Sequence, residues 1–247
     1  FGNVDQLRKQ IDSGLSVDSK TGDGTTLLMM AAPNADKVRL LLARGANVKV
    51  RGASGHDALT VASAYRGTAA SLRALLDAGA DVEPPDGVRV HRLPLVVASM
   101  NGGLSNVKLL LGHGADASTG APIAEAITFG HADVVRALIH AGADAGLAES
   151  SGVNLLHWAT ITGRASVIPE LIKAGVPLND TDKAGFTPVM YAATIDFGNT
   201  AALRALLDAG ADLSIRNPDG RDALEQARHF KHSAIEATLA RRTNAKH

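Results

Sequence analysis

GHADVVRALIHAGAD, Gly130 to Asp144, is the stretch on which the reading of the whole chain turns. Val134, Leu138 and Ile139 recur at the spacing of one helix face, with Asp133 and Arg136 on the other side. Gly142 then stands where a helix end favours a left-handed residue without a Cβ. Asp144, two residues on, favours a turn through bonds from its side chain to backbone N–H groups. The segment therefore reads as helix, glycine stop, turn.

The same ending recurs along the chain. LLARGANV carries it at Gly45, LLDAGADV at Gly79, LLGHGADA at Gly114, LIKAGVPL at Gly175 and LLDAGADL at Gly210, with a weaker copy, QIDSGLSV, at Gly14. Counting Gly142, successive glycines are 31, 34, 35, 28, 33 and 35 residues apart. A second signature follows most of them: GTTLLMMAA, GHDALTVAS, HRLPLVVAS, GVNLLHWAT, GFTPVMYAA and GRDALEQAR. Each unit thus reads as a turn rich in Gly and Asp, a short apolar helix, a small loop and a second amphipathic helix. Neither helix can bury its stripe alone, so neighbouring units must stack. Ala31, Ala62, Ala98, Ala126, Ala159, Ala192 and Ala227 fall at one place in the first helix, where a methyl lets helices approach closely.

Composition agrees with many small interfaces. Of 247 residues 45% are hydrophobic but only 3% aromatic, so Ala, Leu and Gly carry the apolar content. Lys and Arg number 25 and so do Asp and Glu, which excludes the basic surplus of a general nucleic-acid or acidic-membrane binder. Absence of cysteine removes disulfides, thiolate nucleophiles and zinc–thiolate sites. No apolar run reaches the roughly 18 residues of a membrane span. HExxH, GxSxG, GxGxxG and P-loop patterns are missing from the sequence. The chain starts at Phe1 within half a unit, which fits a cut chain and leaves the compartment open, with cytoplasm favoured and export possible.

GFTPVMYAA (Gly185 to Ala193) and GHADVVRALIHAGAD resemble the ankyrin repeat family, and the recurrence extends that resemblance over essentially the whole chain. The resemblance implies an all-α solenoid of about 7.5 repeats, built of antiparallel helix pairs with short β-hairpin or turn fingers. The expected divisions are a half repeat at 1–20, full repeats at about 21–50, 51–84, 85–118, 119–146, 147–179 and 180–214, a capping repeat at 215–239 and a polar tail at 240–247. The family's Thr-Pro-Leu-His tetrapeptide is eroded: only His157 keeps the histidine and only Thr187-Pro188 the Thr-Pro. That erosion predicts looser fingers or greater reliance on stacking.

The resemblance implies a non-catalytic protein-binding module working through its concave finger and inner-helix face, with no cofactor, no metal, no nucleic acid, no membrane insertion and a monomeric state. Two other readings stand beside it: the regulatory or targeting arm of a larger enzyme, and a receptor for a small ligand or peptide. Tyr65, Arg66, Arg89, His91, Arg92, Met100 and Asn101 are expected to cluster on that face, and Tyr and Arg are the types that most often anchor interfaces. Phe129, at a loop end, and Phe186, in a finger, extend the candidate surface. Ile161, Ile195, Phe197 and Phe230 lie along the same loop edge, where local packing between loops accounts for any one of them. Trp158 reads as a half-buried stacking residue. His229 and His232 form an HxxH, but two histidines fall short of the three or four ligands zinc takes. Asp77, Asp133 and Asp208, three or four residues from Arg73, Arg136 and Arg204, read as solvated pairs within the outer helices.

Overall fold

The computed structural model describes residues 2–83 and 93–244. Fifteen α-helices lie among these residues. The first, α1 (Val4–Asp12), precedes seven helix pairs: α2 (Leu27–Ala31) with α3 (Ala35–Ala43), α4 (Ala58–Ser63) with α5 (Ala69–Asp77), α6 (Pro94–Met100) with α7 (Leu104–Gly112), α8 (Pro122–Thr128) with α9 (Ala132–His140), α10 (Leu155–Ile161) with α11 (Ile168–Lys173), α12 (Pro188–Thr194) with α13 (Ala201–Asp208), and α14 (Ala223–His229) with α15 (Ser233–Asn244). A 3-10 turn, Ala165–Val167, leads into α11. The chain divides into two compact units, one through Glu125 and one from Ala126.

In the first unit the short helices stack on one another, α2 on α4 and α4 on α6, while the longer ones form a second layer, α1 on α3, α3 on α5 and α5 on α7. The second unit repeats this with α10, α12 and α14 in one layer and α9, α11 and α13 in the other. Between the layers lie fully buried side chains: Leu28, Leu41, Leu59 and Leu72 in the first unit, Leu138, Leu156, Leu171 and Met190 in the second. Burying each such side chain contributes about 1.5–3 kcal/mol. The recurring alanine is buried in every short helix, Ala62, Ala98, Ala126, Ala159 and Ala227 at 0% exposure.

Glycine terminates the outer helices as the sequence predicts. Gly45, Gly79, Gly142 and Gly210 have φ of 85°, 85°, 93° and 90°, a region that costs residues with a Cβ. The loops between paired helices use the same device at Gly67, Gly102, Gly130, Gly163 and Gly198. At the corresponding place in the last pair stands Lys231, with φ of 60°.

Despite the eroded tetrapeptide, five of the inner helices keep a side-chain N-cap, while α6, preceded by Leu93, has none. Thr26, Asp57, Asn154, Thr187 and Asp222 each accept a hydrogen bond from the third helical N–H. A cap needs only a short side-chain oxygen, so Asp and Asn replace Thr at no loss, and each cap contributes about 0.5–2 kcal/mol. The fingers themselves are turns. Among the described residues β pairing is limited to two isolated bridges, Lys20 with Thr26 and Ala148 with Asn154. Neighbouring finger bases are stitched by side chains: the N–H groups of Asn47, Asp116 and Asp212 donate to Asp18, Glu83 and Asn179 of the preceding unit.

The expected pairing of charges within single outer helices is corrected. Arg136 does not turn to Asp133 on its own helix but forms a two-pronged pair with Glu170 on α11, both bonds 2.9 Å. The guanidinium holds Glu170 down to about 2, overcoming the opposing effect of burial. Likewise Asp208 meets Arg242 of α15 at 3.5 Å. Long Arg side chains span the gap between stacked outer helices, so the ion pairs tie units together. The last helix runs on to Asn244, so the first residues of the polar tail are helical. Arg242 anchors that extension by donating to the Leu207 carbonyl at 2.9 Å.

Candidate partner-binding face

In the first unit the loop after α4 carries Tyr65 and Arg66. The Tyr65 ring is exposed at 51%, while its backbone is fixed: its carbonyl accepts from Thr68 Oγ1 at 2.8 Å and from Asn106 Nδ2 at 2.9 Å. Asn106, fully buried on α7, also donates to Thr68 Oγ1. An aromatic side chain is therefore held out on a loop locked from beneath. Arg66 is fixed too, its Nε donating to the Asn101 carbonyl at 2.6 Å. Asn101 returns its own Nδ2 to Val97. The structure thus brings Tyr65, Arg66 and Asn101 together across two neighbouring loops, with the half-buried Met100 beside Asn101 in sequence. Arg89, His91 and Arg92 lie outside the described residues.

A groove of about 250 Å3 between α2 and α4 has a mixed lining, with Met29, Met30, Pro33, Val61 and Tyr65 beside Thr25, Gly52, Ser54 and His56. Met30, 38% exposed, was not singled out in the sequence. The signal was present: Met30, Val61, Val97, Trp158 and Tyr191 all stand one residue before the recurring alanine.

The second unit presents an aromatic surface of its own. Trp158 is half-buried, as expected, and its Nε1 donates to Thr128 Oγ1 at 2.9 Å. Tyr191 donates to the buried Asp182 at 2.6 Å, and burial with this bond pushes its hydroxyl up to about 12. Phe186 packs on Tyr191 with ring centres 5.2 Å apart and is only half-buried, so it belongs as much to the finger as to the surface. His157 ties this finger down. Its Nδ1 lies 3.2 Å from the Asn154 backbone nitrogen and 2.8 Å from Asn154 Oδ1, and its Nε2 lies 2.9 Å from the Phe186 carbonyl, so a neutral ring donates through one of the two nitrogens only. Burial lowers its pKa, consistent with that neutral form. Phe129 is exposed at 46% and stacks on His131 with ring centres 6.4 Å apart. Phe197 and Phe230 are exposed to the same degree, and Phe197 lies over Gly163 of the preceding loop.

The HxxH histidines are occupied by local contacts: His229 and His232 flank the Phe230 ring, and His232 Nδ1 lies 3.1 Å from the Ala193 carbonyl. Among the described residues there is no cluster of three or more His, Cys, Asp or Glu that could hold a metal ion. No described helix is long and apolar enough to cross a membrane.

Comparison with known proteins places these observations. The family model of ankyrin repeats matches in three copies, over residues 1–86, 123–217 and 156–244. The ankyrin repeat protein YahD of Escherichia coli (strain K12) is 28% identical over 207 residues, covering 82% of this chain and 87% of that one. Mouse palmitoyltransferase ZDHHC13 is 30% identical over 211 residues, covering 70% of this chain and 33% of that protein, so the match spans about a third of its length. The crystal structure of the human ASB11 ankyrin repeat domain superposes with a TM-score of 0.75 at 27% identity, covering 88% of this chain and 97% of that one.

Proposed function

The chain belongs to the ankyrin repeat family, whose repeats are in general protein–protein interaction modules, and we propose that it is a non-catalytic module that binds a protein partner through its finger and inner-helix face. The observation that carries this reading is the Tyr65–Arg66 pair. Both side chains reach solvent; the Arg66 guanidinium is held by its bond to the Asn101 carbonyl, and the Tyr65 backbone carbonyl by bonds from Thr68 and Asn106. Interfaces draw most of their energy from a few Tyr, Trp and Arg residues. Affinity rises when those residues are fixed before binding, because less freedom is lost. In the second unit the Trp158 and Tyr191 side chains are themselves anchored, to Thr128 and Asp182.

Affinity capture from the native source tests the reading, with the wild type beside a Tyr65→Ser/Arg66→Gln variant of unchanged melting temperature. A protein retained by the wild type and lost by the variant supports it. A partner retained equally by both removes this face as the site. A second reading, the regulatory or targeting arm of a larger enzyme, is favoured by the match to a third of a palmitoyltransferase. The size of the native gene product distinguishes the two.

A further inference from the structure

We propose that the groove between α13 and α15 binds a phosphate monoester, held by Arg204, Arg241 and Arg242. The site belongs to the second unit and shares no residue with the Tyr65–Arg66 loop, so it stands or falls separately from the interaction reading above.

The groove, about 350 Å3, is lined by Arg204, Leu207 and Asp208 of α13 and by Thr238, Arg241 and Arg242 of α15. Its volume falls within the roughly 300–1,000 Å3 of small-ligand sites. Three guanidiniums against one carboxylate leave two positive charges in one groove, in a chain whose charges balance at 25 against 25. Four other arginines of this unit are neutralised: Arg136, Arg216, Arg221 and Arg228 each reach a carboxylate at between 2.6 and 3.4 Å. Arg204 and Arg241 form no ion pair among the described residues; the one carboxylate in the groove, Asp208, lies 3.5 Å from Arg242.

Arg242 is the fixed member of the three. Its Nη2 donates to the Leu207 carbonyl at 2.9 Å and faces Asp208, while its Nε and Nη1 have no partner among the described residues. The Asp208 side chain is 76% exposed, and so open a pair contributes little and is readily displaced. Thr238 donates its hydroxyl proton to the Ala234 carbonyl at 2.8 Å, so recognition of an anion falls to the guanidiniums.

Charge selects the ligand. A phosphate monoester carries about −1.5 to −2 at pH 7, which answers the two uncompensated guanidiniums. A carboxylate or a phosphodiester carries a single charge and leaves one of them unanswered. The planar fork of arginine also meets phosphate oxygens through paired hydrogen bonds, which a lone ammonium does not. A phosphorylated protein side chain and a free phosphorylated small molecule present the same group.

Phosphorus NMR titration of the full chain tests the proposal. The probes are glycerol phosphate, a short peptide of neutral residues carrying one phosphoserine, and dimethyl phosphate, a diester with one charge. Saturable binding of the monoesters is expected, with dimethyl phosphate weaker by about tenfold or more. Whichever monoester binds more tightly identifies the source, the peptide a protein side chain and glycerol phosphate a free ligand. Arg204→Gln and Arg241→Gln break no ion pair among the described residues, and each should weaken binding about tenfold at unchanged melting temperature. Asp208→Asn removes the competing carboxylate and should tighten binding about threefold or more, a gain that a folding defect would not give. The proposal is overturned if neither monoester binds saturably, if dimethyl phosphate binds as tightly as they do, or if affinity ignores Arg204 and Arg241.

Discussion

Replacing Lys231 by glycine is expected to stabilise the C-terminal helix pair. Lys231 has φ of 60° at a loop position filled elsewhere by Gly67, Gly102, Gly130, Gly163 and Gly198, whose φ values run from 66° to 83°. The left-handed region costs a residue with a Cβ roughly 1–2 kcal/mol. Glycine gives back roughly 0.5–1 kcal/mol through the greater freedom of its unfolded chain. The difference leaves about 0.5–1 kcal/mol in favour of glycine. Little else changes: the Lys231 N–H donates to the Arg228 carbonyl at 3.1 Å through the backbone, and its side chain makes no ion pair among the described residues. Because a terminal unit contacts one neighbour, its opening is local and need not follow global melting. Native-state hydrogen exchange of the α14 and α15 amides reads it, with an expected rise in protection of about twofold to fivefold. Lys231→Ala keeps the Cβ and should give no gain. Equal protection in the Gly and Ala variants would refute the reasoning.

Other perturbations reach different parts of the fold. Glu170, held down to about 2 from an ordinary 4.5, contributes stability that is present above the higher value and lost as pH falls through the lower. The melting temperature should therefore fall between about pH 4.5 and 2 more steeply in the wild type than in Glu170→Gln. The Tyr191 hydroxyl, raised to about 12, contributes stability that is lost as pH rises from 10 through 12. Tyr191→Phe should remove the corresponding absorbance step near pH 12. It also deprives the buried Asp182 of a donor, costing about 1–3 kcal/mol in urea unfolding. Ala159, at 0% exposure between stacked helices, leaves no room for a larger residue; Ala159→Leu should cost about 1–3 kcal/mol by overpacking.

Much of the fold was legible because its rules are local and repeated. Gly45, Gly79, Gly142 and Gly210 announce helix ends, and the buried alanine marks the close approach in every inner helix. Caps were harder to see. Looking for Thr-Pro-Leu-His hides the fact that Asp57, Asn154 and Asp222 supply the same oxygen. Ion pairing was misread because sequence spacing shows only neighbours on one helix, whereas Arg136 finds Glu170 34 residues away. The candidate site was legible in type more than in setting. Tyr65, Arg66 and Asn101 do come together, yet what holds the Tyr65 backbone is Asn106, a buried polar residue on an outer helix that no surface pattern marks. Met30 was hidden in an apolar run, LLMMAA, where periodicity alone does not separate the exposed methionine from the buried Met29.

Recognition of a partner through the Tyr65–Arg66 loop is tested most directly by a photo-crosslinking residue placed at position 65 in the native source. Position 73, an exposed site on the outer helix α5, serves as the control. A single protein crosslinked from position 65 and absent from position 73 is the predicted result. Crosslinking of a bound partner from position 73 and not from position 65 would contradict it.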